Sequence, residues 1–332
     1  MKKKIFIGIL LSVILVYLSV RGININDTID NFKNIKWLPV AAFIIIILFM
    51  QFLRSYRWGV ILKPLQKIDQ LTLFSVTSVG FLAIASIPAR LGELARPYLI
   101  SKKSSIKFSS AFGTIIIERA LDSLAVLFIM IIALLFVDLP SWMIKSGIIF
   151  LLITLIFISC IVALIWQRER SLNILNRILN KFPGKLTLTI ERIIHHLIDG
   201  FKIITDIKML FYLFFLSAFI WFIDVLAIYI LFIAFGFNLP VLAAVVLMII
   251  LIAGIAIPTA PGYIGNWHFA CILGLSLFGV AKPEALSFAL VYHFLSIVFV
   301  AVLGIIFLPF NKFSIADIKS YAAKTEEPQN YE

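Results

Sequence analysis

The sequence AFGTIIIERALDSLAVLFIMIIALLFV, residues 111–137, is long and apolar enough to cross a bilayer as a single helix. It nevertheless contains three charged residues near its start, Glu118, Arg119 and Asp122. Charged side chains at membrane depth are costly, and they are usually paired with one another or line the path of a substrate. This stretch therefore indicates a helical membrane protein and marks the part of the chain in which to look for function.

The composition of the whole chain supports the same class of protein. Of its 332 residues, 62% are apolar and 14% are charged, whereas soluble domains carry about 25% charged residues. So few charges exclude a soluble globular enzyme, and the high apolar content excludes a disordered chain. Besides residues 111–137, five apolar runs approach the length of a span: Ile5–Val20, interpreted as a short anchor helix, Leu38–Leu53, Gly147–Trp166, Met209–Phe235 and Ala285–Phe310.

The distribution of basic residues predicts the orientation. With the N-terminus in the cytoplasm, 23 of the 29 Lys and Arg residues fall in cytoplasmic segments, as the positive-inside rule requires. We therefore expect a protein of the cytoplasmic (inner) membrane with both termini in the cytoplasm. Segments 54–70 and 89–109 are both basic, so the apolar segment Leu71–Ile87 between them must enter the membrane and return on the same side.

A second hairpin follows from the same count. The segment Val241–Val280 begins and ends on the outer side and turns at Pro258–Gly265. The halves 1–146 and 147–310 then contain the same order of elements in opposite directions. The sequence thus predicts an all-α polytopic membrane protein with about six full spans and two re-entrant helical hairpins, arranged as an inverted repeat. Such repeats place a substrate site at broken helices between the halves. The alternative is two ordinary helical hairpins that merely contain prolines.

The domain organisation is simple. We expect one transmembrane domain over residues 1–310 and a short cytoplasmic tail over residues 311–332. The halves are joined by the polar segment 167–208, whose later part shows apolar residues at helical spacing and predicts an amphipathic helix on the cytoplasmic membrane surface. His195 and His196 in that helix are adjacent, so their rings point to different faces and a metal site is not expected.

A second group of ionisable residues lies near the first predicted hairpin. Arg90, Glu93 and Arg96 are spaced three apart and share one face if the segment is helical. With the three charged residues of segment 111–137 they supply three arginines and three carboxylates, which suits a buried network of ion pairs. An arginine left free in this network could grip a lipid phosphate, because guanidinium matches phosphate oxygens in a forked geometry. A purely structural network that holds the hairpin to the helix is the alternative.

The turn of the second predicted hairpin is the third candidate region. Two prolines and two glycines break the helix there and allow close approach of the backbone, and free backbone amides could bind an anion. The candidate substrate-binding residues of this turn are Pro261, Gly262, Tyr263, Gly265 and His268. Asp224, in the middle of an apolar run, could pair with His293 or with an arginine across the repeat, and a hydrogen-bonded structural aspartate fits equally well.

Motifs of known catalytic and nucleotide-binding sites are absent. The sequence has no H-E-x-x-H, G-x-S-x-G, G-x-x-x-x-G-K or D-x-D pattern. We therefore predict no catalytic residue, no cofactor and no metal. The net charge of +12 is expected to act on orientation and on anionic lipid, and no nucleic-acid partner is expected. Cys160 and Cys271 lie in apolar runs and are interpreted as packing residues.

Four motifs occur together in this chain: Arg54-Ser-Tyr-Arg57-Trp58, Ile87-Pro-Ala-Arg-Leu-Gly-Glu93-x-x-Arg96, Glu118-Arg119-x-x-Asp122 and Pro261-Gly262-x-x-Gly265. With them the chain resembles, over nearly its whole length, the transmembrane region of lysylphosphatidylglycerol synthases, which is the membrane half of the multiple peptide resistance factor. The resemblance implies a flippase-like role, in which a modified phospholipid moves between leaflets. Related stand-alone members are linked to other lipids, including hopanoids, and a related membrane region occurs in an archaeal glycosyltransferase.

Two features depart from the pattern of that family. The soluble aminoacyl-transfer domain of the full-length factor is absent here, so the resemblance implies no synthase activity. The turn of the second hairpin reads Gly262-Tyr-Ile-Gly265-Asn-Trp-His, where members often have a glycine-rich run followed by an acidic residue. This second departure leaves the identity of the lipid open.

The residues and the resemblance together favour a lipid translocator. Its expected partners are membrane lipids, namely an anionic or aminoacylated phospholipid or an isoprenoid lipid, and a second copy of the chain or a separate lipid-modifying enzyme is considered as a protein partner. Arg90 and Arg96 would contact the phosphate or headgroup, and the carboxylates would hold the arginines or a cationic part of the headgroup. Two other interpretations stay open: a membrane-bound transferase that acts on lipid headgroups with an aminoacyl or glycosyl donor, and a membrane anchor for a separate synthase.

Overall fold

The computed structural model describes residues 2–87, 92–136, 141–166, 193–256 and 260–311. Within these residues the chain forms α-helices, short 3-10 turns and connecting loops, and it contains no strand, as the sequence predicts. The α-helices are α1 (Lys2–Val20), α2 (Ile25–Lys33), α3 (Trp37–Leu62), α4 (Gln70–Ser86), α5 (Ala95–Lys103), α6 (Phe108–Leu134), α7 (Ser141–Trp166), α8 (193–200), α9 (Ile207–Phe235), α10 (Val241–Ala256), α11 (Asn266–Ser276) and α12 (Lys282–Asn311).

Several helix ends follow directly from local sequence. Asp69 caps α4, because its carboxylate accepts a hydrogen bond of 2.8 Å from the Thr72 N–H. Asp206 caps α9 in the same way through the Met209 N–H, at 3.1 Å. Gly236 ends α9 in the left-handed conformation, with φ 71°.

Length and composition identify the helices that can cross a membrane. Four of those described are long and apolar enough: α3, residues 141–164 of α7, α9 and α12. α6 has 27 residues, but every membrane-length window in it includes Glu118, Arg119 and Asp122. Residues Gly8–Val20 of α1, together with α4 and α10, are shorter apolar helices. The chain is thus an all-helical membrane protein, and the count of about six full spans stays a prediction.

Each half of the chain contains a broken helix. α4 and α5 pack against each other across a break that includes a 3-10 turn at residues 92–94, and we call this pair the first hairpin. α10 and α11 pack against each other across the 3-10 turn Pro261–Tyr263, and we call this pair the second hairpin. The first break follows the end of the predicted apolar segment Leu71–Ile87, and the second falls within the predicted turn Pro258–Gly265. Pro88, Arg90 and Pro258 lie outside the described residues.

The tips of the two hairpins approach each other at the end of α4. The backbone of Gly92 lies directly against the Ala83 carbonyl group, and a Cβ on Gly262 would stand 3.9 Å from the Ala85 carbonyl oxygen. α4 also packs along α12, and α3 packs along α9, so that helices of the first half lie against helices of the second. The broken segments of both halves are therefore brought to one region of the protein.

One helix extends further than its apolar run. The sequence gives the run as Leu38–Leu53 and counts segment 54–70 with the cytoplasmic segments, but α3 continues to Leu62, and Arg54 and Arg57 lie inside this helix. Arg57 is buried, with 1% of its surface exposed. Hydropathy alone assigns an arginine to a loop, whereas here the carboxylates of α6 offset the cost of burying the charge. Arg96, counted in the basic segment 89–109, is buried for the same reason.

The described part of the segment that joins the halves is helical at residues 193–200 and continues as the 3-10 turn Lys202–Thr205. Its Gly200 packs closely on α6, where a Cβ would stand 3.0 Å from the Gly113 Cα atom. This helix therefore lies against the first half of the protein. The remainder of the predicted amphipathic segment, residues 167–192, and the predicted tail beyond Asn311 lie outside the described residues.

Candidate functional site

The centre of the first half is a group of five charged side chains, which we call the arginine–carboxylate cluster: Arg57, Arg96, Glu118, Arg119 and Asp122. Glu118 and Asp122 are one turn apart on α6 and so point to the same side. Arg57 from α3 reaches both, with its Nη1 atom 2.5 Å from Asp122 Oδ1 and its Nη2 atom 3.5 Å from Glu118 Oε1. Arg57 therefore ties α3 to α6 through two carboxylates.

Side chains of α9 complete the surroundings of Asp122. The Ser217 hydroxyl accepts a hydrogen bond of 2.7 Å from Arg57 Nη1, and Trp221 Nε1 donates one of 3.2 Å to Asp122 Oδ1. Because α9 belongs to the second half of the chain, these two bonds join the halves directly at the cluster.

Arg96 enters the cluster from the first hairpin. Its two terminal nitrogens donate to the two oxygens of Glu118 at 2.8 and 3.0 Å, the forked geometry that guanidinium favours. The guanidinium carbon lies 4.2 Å from the Trp58 ring centroid, and Trp58 in turn donates to Thr114 Oγ1 at 3.0 Å. The absence of a side chain at Gly80 leaves room for the aliphatic part of Arg96. The first hairpin is thus held to α6 by a buried ion pair.

Arg119 differs from the other members of the cluster. Its side chain is 45% exposed, whereas those of Arg57, Arg96 and Glu118 are 2% exposed and that of Asp122 is 12% exposed. It contacts Glu118 at 3.1 Å and Asp122 at 3.7 Å. The cluster contains three cations and two carboxylates, and a third carboxylate, Glu93, acts on Arg119 from beside it. Arg119 is the most accessible cation of the cluster.

Two donors of the cluster have no acceptor. The Nε atoms of Arg57 and Arg96 are buried and make no hydrogen bond within the described part of the chain. A buried donor left without a partner costs about 1–3 kcal/mol. A network selected for stability alone would satisfy these donors, so this arrangement favours a functional role for the cluster beside its structural one.

A second row of polar side chains leads away from the cluster. Arg54 lies one turn before Arg57 on α3, with its guanidinium 5.4 Å from the Phe81 ring centroid, and it is attracted electrostatically to Asp224 and Asp122. Asp224 on α9 therefore interacts with an arginine, one of the two partners that the sequence suggested for it.

The row reaches the second hairpin through aromatic residues. Tyr292 on α12 interacts electrostatically with both Asp224 and Arg54. Its ring contacts Trp267 of α11, with the two centroids 5.2 Å apart. Trp267 stacks on His293, with centroids 5.1 Å apart and planes 20° apart. Ring contacts thus join Tyr292 to Trp267 and Trp267 to His293, and Tyr292 is within electrostatic range of Asp224 and Arg54.

The turn of the second hairpin has an unusual backbone. Gly262, Tyr263 and Gly265 have positive φ values of 69°, 57° and 96°. Ser12 of α1 holds the turn in place with two hydrogen bonds. Its hydroxyl group donates to the Ile264 carbonyl group and accepts a bond of 3.2 Å from the Ala260 N–H. A Cβ on Gly265 would stand 2.6 Å from the Ser12 carbonyl oxygen, so only glycine fits there.

Two histidines hold the other side of this turn. His293 Nε2 lies 2.7 Å from the Gly262 carbonyl oxygen, and His293 Nδ1 lies 3.3 Å from His268 Nε2. His268 Nδ1 in turn accepts a bond of 3.4 Å from the Gly265 N–H. Both rings are therefore committed to hydrogen bonds within the protein.

The structure groups the predicted site residues into two clusters. Arg96, Glu118, Arg119 and Asp122 meet in the first, and Glu93 acts electrostatically on Arg119 beside it. The second cluster is the turn with Pro261, Gly262, Tyr263, Gly265 and His268. Arg90 lies outside the described residues.

Two central residues were missing from the predicted site. Arg57 lies at the heart of the first cluster and His293 at the heart of the second. A signal existed for Arg57, since it stands three residues after Arg54 and beside Trp58, and this spacing places both arginines on one side of a helix. Among the described residues, no three His, Cys, Asp or Glu side chains converge to hold a metal ion.

Comparison with known proteins gives the family. The sequence matches the family described as the lysylphosphatidylglycerol synthase TM region over residues 5–304. A UPF0104 membrane protein of Methanothermobacter thermautotrophicus is 25% identical over 297 residues, which are 84% of this chain and 85% of the relative. A UPF0104 membrane protein of Methanocaldococcus jannaschii is 29% identical over 231 residues, 66% of this chain and 90% of the relative. No solved structure matches. The chain belongs to the lysylphosphatidylglycerol synthase transmembrane region family.

Proposed function

We propose that the protein moves a lipid with a polar headgroup between the two leaflets of the cytoplasmic membrane. The observation that carries this proposal is Arg119, a half-exposed arginine at the edge of an otherwise buried cluster of ion pairs. Arg119 stands near the middle of α6, a helix about 40 Å long. An exposed cation at that depth has little use in a purely structural network, but it lowers the cost of bringing an anionic headgroup into the membrane.

The role proposed for each charged residue depends on how exposed its side chain is and on its partners. Arg119 contacts the lipid phosphate, and Arg90 stays a proposed headgroup contact from the first hairpin. Arg96 is buried and bonds to Glu118 through both terminal nitrogens, so its role is to position that carboxylate. Glu118 and Asp122 hold the arginines in place. Glu93, next to Arg119, is placed to meet the cationic part of an aminoacylated headgroup.

The row that begins at Arg54 supports a path for the headgroup. In this proposal the headgroup passes from the arginine–carboxylate cluster by Asp224 to the turn of the second hairpin, and the electrostatic interactions of Arg54, Asp224 and Tyr292 support that route. In this proposal Pro261, Gly262, Tyr263 and Gly265 line the far side of the path. His268 is already bonded through both ring nitrogens, so it shapes the turn and does not contact the lipid.

The proposed arrangement in the membrane keeps the inverted repeat. The two hairpins are re-entrant, one from each side, among about six full spans, and both termini are cytoplasmic. The approach of the two hairpin tips supports this arrangement, because irregular backbone at membrane depth must be buried in protein or line a polar cavity. The lipid is an anionic or aminoacylated phospholipid or an isoprenoid lipid, and a second copy or a separate lipid-modifying enzyme is the proposed protein partner.

A leaflet assay in proteoliposomes tests the proposal. Vesicles contain a fluorescent phosphatidylglycerol, phosphatidylcholine or aminoacylated phosphatidylglycerol, and a membrane-impermeant reductant bleaches the outer leaflet. The protein is expected to make the inner-leaflet dye of the anionic or aminoacylated lipids accessible faster than in protein-free vesicles. The absence of any acceleration across this panel, with the protein inserted and folded, would refute lipid translocation.

A further inference from the structure

The turn of the second hairpin is held by an unbroken chain of hydrogen bonds through two imidazole rings. It begins at the Gly265 N–H, passes through His268 and then His293, and ends at the Gly262 carbonyl oxygen. His268 belongs to α11 and His293 to α12, so the chain ties two helices to the turn. None of the roles proposed for lipid binding uses it.

The partners fix where the hydrogens are. A carbonyl oxygen only accepts, so His293 Nε2 carries the hydrogen that bonds to Gly262. In a neutral ring the other nitrogen, His293 Nδ1, is then an acceptor, and His268 Nε2 must donate to it. This leaves His268 Nδ1 as the acceptor for the Gly265 N–H. With both rings neutral, every donor in the chain meets an acceptor.

One added proton creates one donor too many. If the bonds to Gly262 and between the two rings are kept, the extra hydrogen must reside on His268 Nδ1. There it faces the Gly265 N–H, and the two donors repel each other. The link that breaks on protonation is therefore the one that holds the Gly265 end of the turn.

The surroundings reinforce this effect. His268 is the third residue of α11, where the positive end of the helix dipole disfavours a cation. α2, which carries Asp27, Asp30 and Lys33, bonds to α12 through Asn31 and Thr28 at Ser287, about 9 Å along the helix from His293. α4 and α10 carry no titratable residue. The turn, α1, α11 and α12 carry the titratable or charged residues Tyr17, Tyr263, Cys271, Lys282, Glu284 and Tyr292, counting described side chains. α3 and α9, which touch α12 over short stretches, carry Arg54, Tyr56, Arg57, Lys208, Tyr212, Asp224 and Tyr229, and of these Arg54 and Asp224 act on Tyr292.

The distance to the carboxylates completes the argument. Glu284 stands at the start of α12, about 13 Å along the helix from His293, and Asp224 is engaged with Arg54. No carboxylate of the described residues is thus in contact with the ring pair to accept or balance an added proton. Its positive charge must be borne by the turn itself.

We propose that the His268–His293 pair is a proton-binding site, and that a proton bound there releases the Gly265 end of the second hairpin and so regulates lipid movement. The regulatory part rests on the lipid translocation proposed above, whereas the proton site and the release of the turn do not. Ser12 still holds the turn through Ile264 and Ala260, so the release is local.

The first measurement uses the histidines directly. The chain contains four, and His195 and His196 in α8 serve as internal references. In nanodiscs with ¹⁵N-labelled histidine, His268 and His293 are expected to show the Nε2–H tautomer at pH 8 and to take up one shared proton on acidification to pH 4.5. Hydrogen exchange of residues 260–265, corrected for the intrinsic effect of pH, should rise roughly tenfold over the same range, as the loss of one hydrogen bond predicts.

Two variants remove the nitrogen that would carry the added proton. His268→Gln retains an acceptor for the Gly265 N–H, and the double variant His268→Gln/His293→Gln also retains a donor for the Gly262 carbonyl group and leaves no imidazole in the pair. Either variant should make the corrected exchange of residues 260–265 independent of pH, so one of them suffices if the other fails to fold. The double variant His195→Gln/His196→Gln is the control and should respond as the wild type does.

The outcomes separate the two proposals. Absence of proton uptake by the pair between pH 8 and 4.5, or uptake without a change in exchange, overturns the proton site. If the site is correct and lipid moves, the translocation rate should change at least threefold over this range in the wild type and not in the two variants that replace His268. Titration and release with no lipid movement at any pH would refute translocation and leave the proton site standing.

Discussion

The tips of the two hairpins occupy corresponding positions in the two halves but are held by opposite chemistry. The first is anchored by charge, since Arg96 forms a forked ion pair with Glu118 in the arginine–carboxylate cluster. The second is anchored by a chain of neutral hydrogen bonds through His268 and His293, in which every donor has an acceptor. The first tip leaves arginine donors without an acceptor, whereas the histidine chain leaves none, and the one open donor described beside that chain is the neutral Trp267 Nε1.

This difference indicates a division of labour between similar pieces of architecture. A site with spare donors and an exposed cation is prepared for an anion from outside the protein. A site whose donors and acceptors balance fixes a backbone geometry, and it can be upset by a single proton. The two halves of an inverted repeat thus need not contribute equally to the substrate site, and the variants below test whether this division is correct.

The largest effect is expected from Glu118→Gln. This change leaves Arg57 and Arg96 buried without their shared carboxylate, and breaking a buried ion pair on one side typically costs about 3–5 kcal/mol. Thermal unfolding in detergent, followed by loss of the monodisperse protein peak, should show a strong decrease in stability. Asp30→Asn is the matched control, because it breaks a surface pair with Lys33 in which both side chains are at least 66% exposed, and such pairs contribute about 0–1 kcal/mol.

Equal stability of Glu118→Gln and Asp30→Asn would contradict the view that charge anchors the first hairpin. A second change sharpens the test. Adding Arg96→Met to Glu118→Gln removes one of the unpaired cations, and a well-packed apolar side chain often replaces a buried pair at little cost. The double variant should therefore be more stable than Glu118→Gln alone.

The second hairpin should be sensitive to shape and not to charge. Gly265→Ala places a Cβ 2.6 Å from the Ser12 carbonyl oxygen at a residue with φ 96°. Backbone strain and overpacking together are expected to cost about 2–4 kcal/mol in unfolding free energy. Gly236→Ala is the control, because it has a similar positive φ of 71° and open space around its Cβ, so it should lose only about 1 kcal/mol. The measurement is thermal unfolding of the two variants under the same conditions. Equal losses of stability would show that the contact with α1 does not hold the turn.

Replacing the exposed Arg119 should reduce lipid translocation while leaving the stability of the fold nearly unchanged. Arg119→Gln removes the accessible cation but leaves the buried pairs of Arg57 and Arg96 intact, so unfolding should change by about 1 kcal/mol or less. Lipid translocation in proteoliposomes should fall roughly tenfold, the loss expected for one charge-assisted hydrogen bond to phosphate. Lys145→Gln, an exposed change on α7, should leave both quantities unaltered. A fully active Arg119→Gln would remove the observation on which the proposed function rests.

Much of the fold was predictable, because it depends on local properties of the sequence. Apolar runs identify the helices, and proline and glycine mark both broken segments, whatever the rest of the chain does. The central residue of each candidate site could not be predicted in this way. Arg57 bonds to Asp122, which is 65 residues away along the chain, and His293 bonds to Gly262, which is 31 residues away. An arginine near the end of an apolar run looks like a loop residue until its carboxylate partner in another helix is known. Arg96, Glu118, Arg119 and Asp122 were found from the sequence because their charges lie within or beside apolar segments.

The smallest effect is expected at the start of the first hairpin, where a charged carboxylate caps α4. Hydrogen bonds from the Thr72 side chain and backbone to Asp69, the N-cap of α4, hold the pKa of that carboxyl below its usual value. The stabilisation is thus fully present above the usual aspartate pKa of about 3.9 and is lost as pH falls through the lower value in the folded protein. Asp69→Ala should lower the unfolding free energy by about 1 kcal/mol at pH 7, and the difference from wild type should shrink in acid. Asp69→Asn keeps the acceptor without titrating, so its stability relative to Asp69→Ala should persist at low pH. An Asp69→Ala deficit that stays constant down to pH 2 would show that the carboxylate charge plays no part in starting the first hairpin.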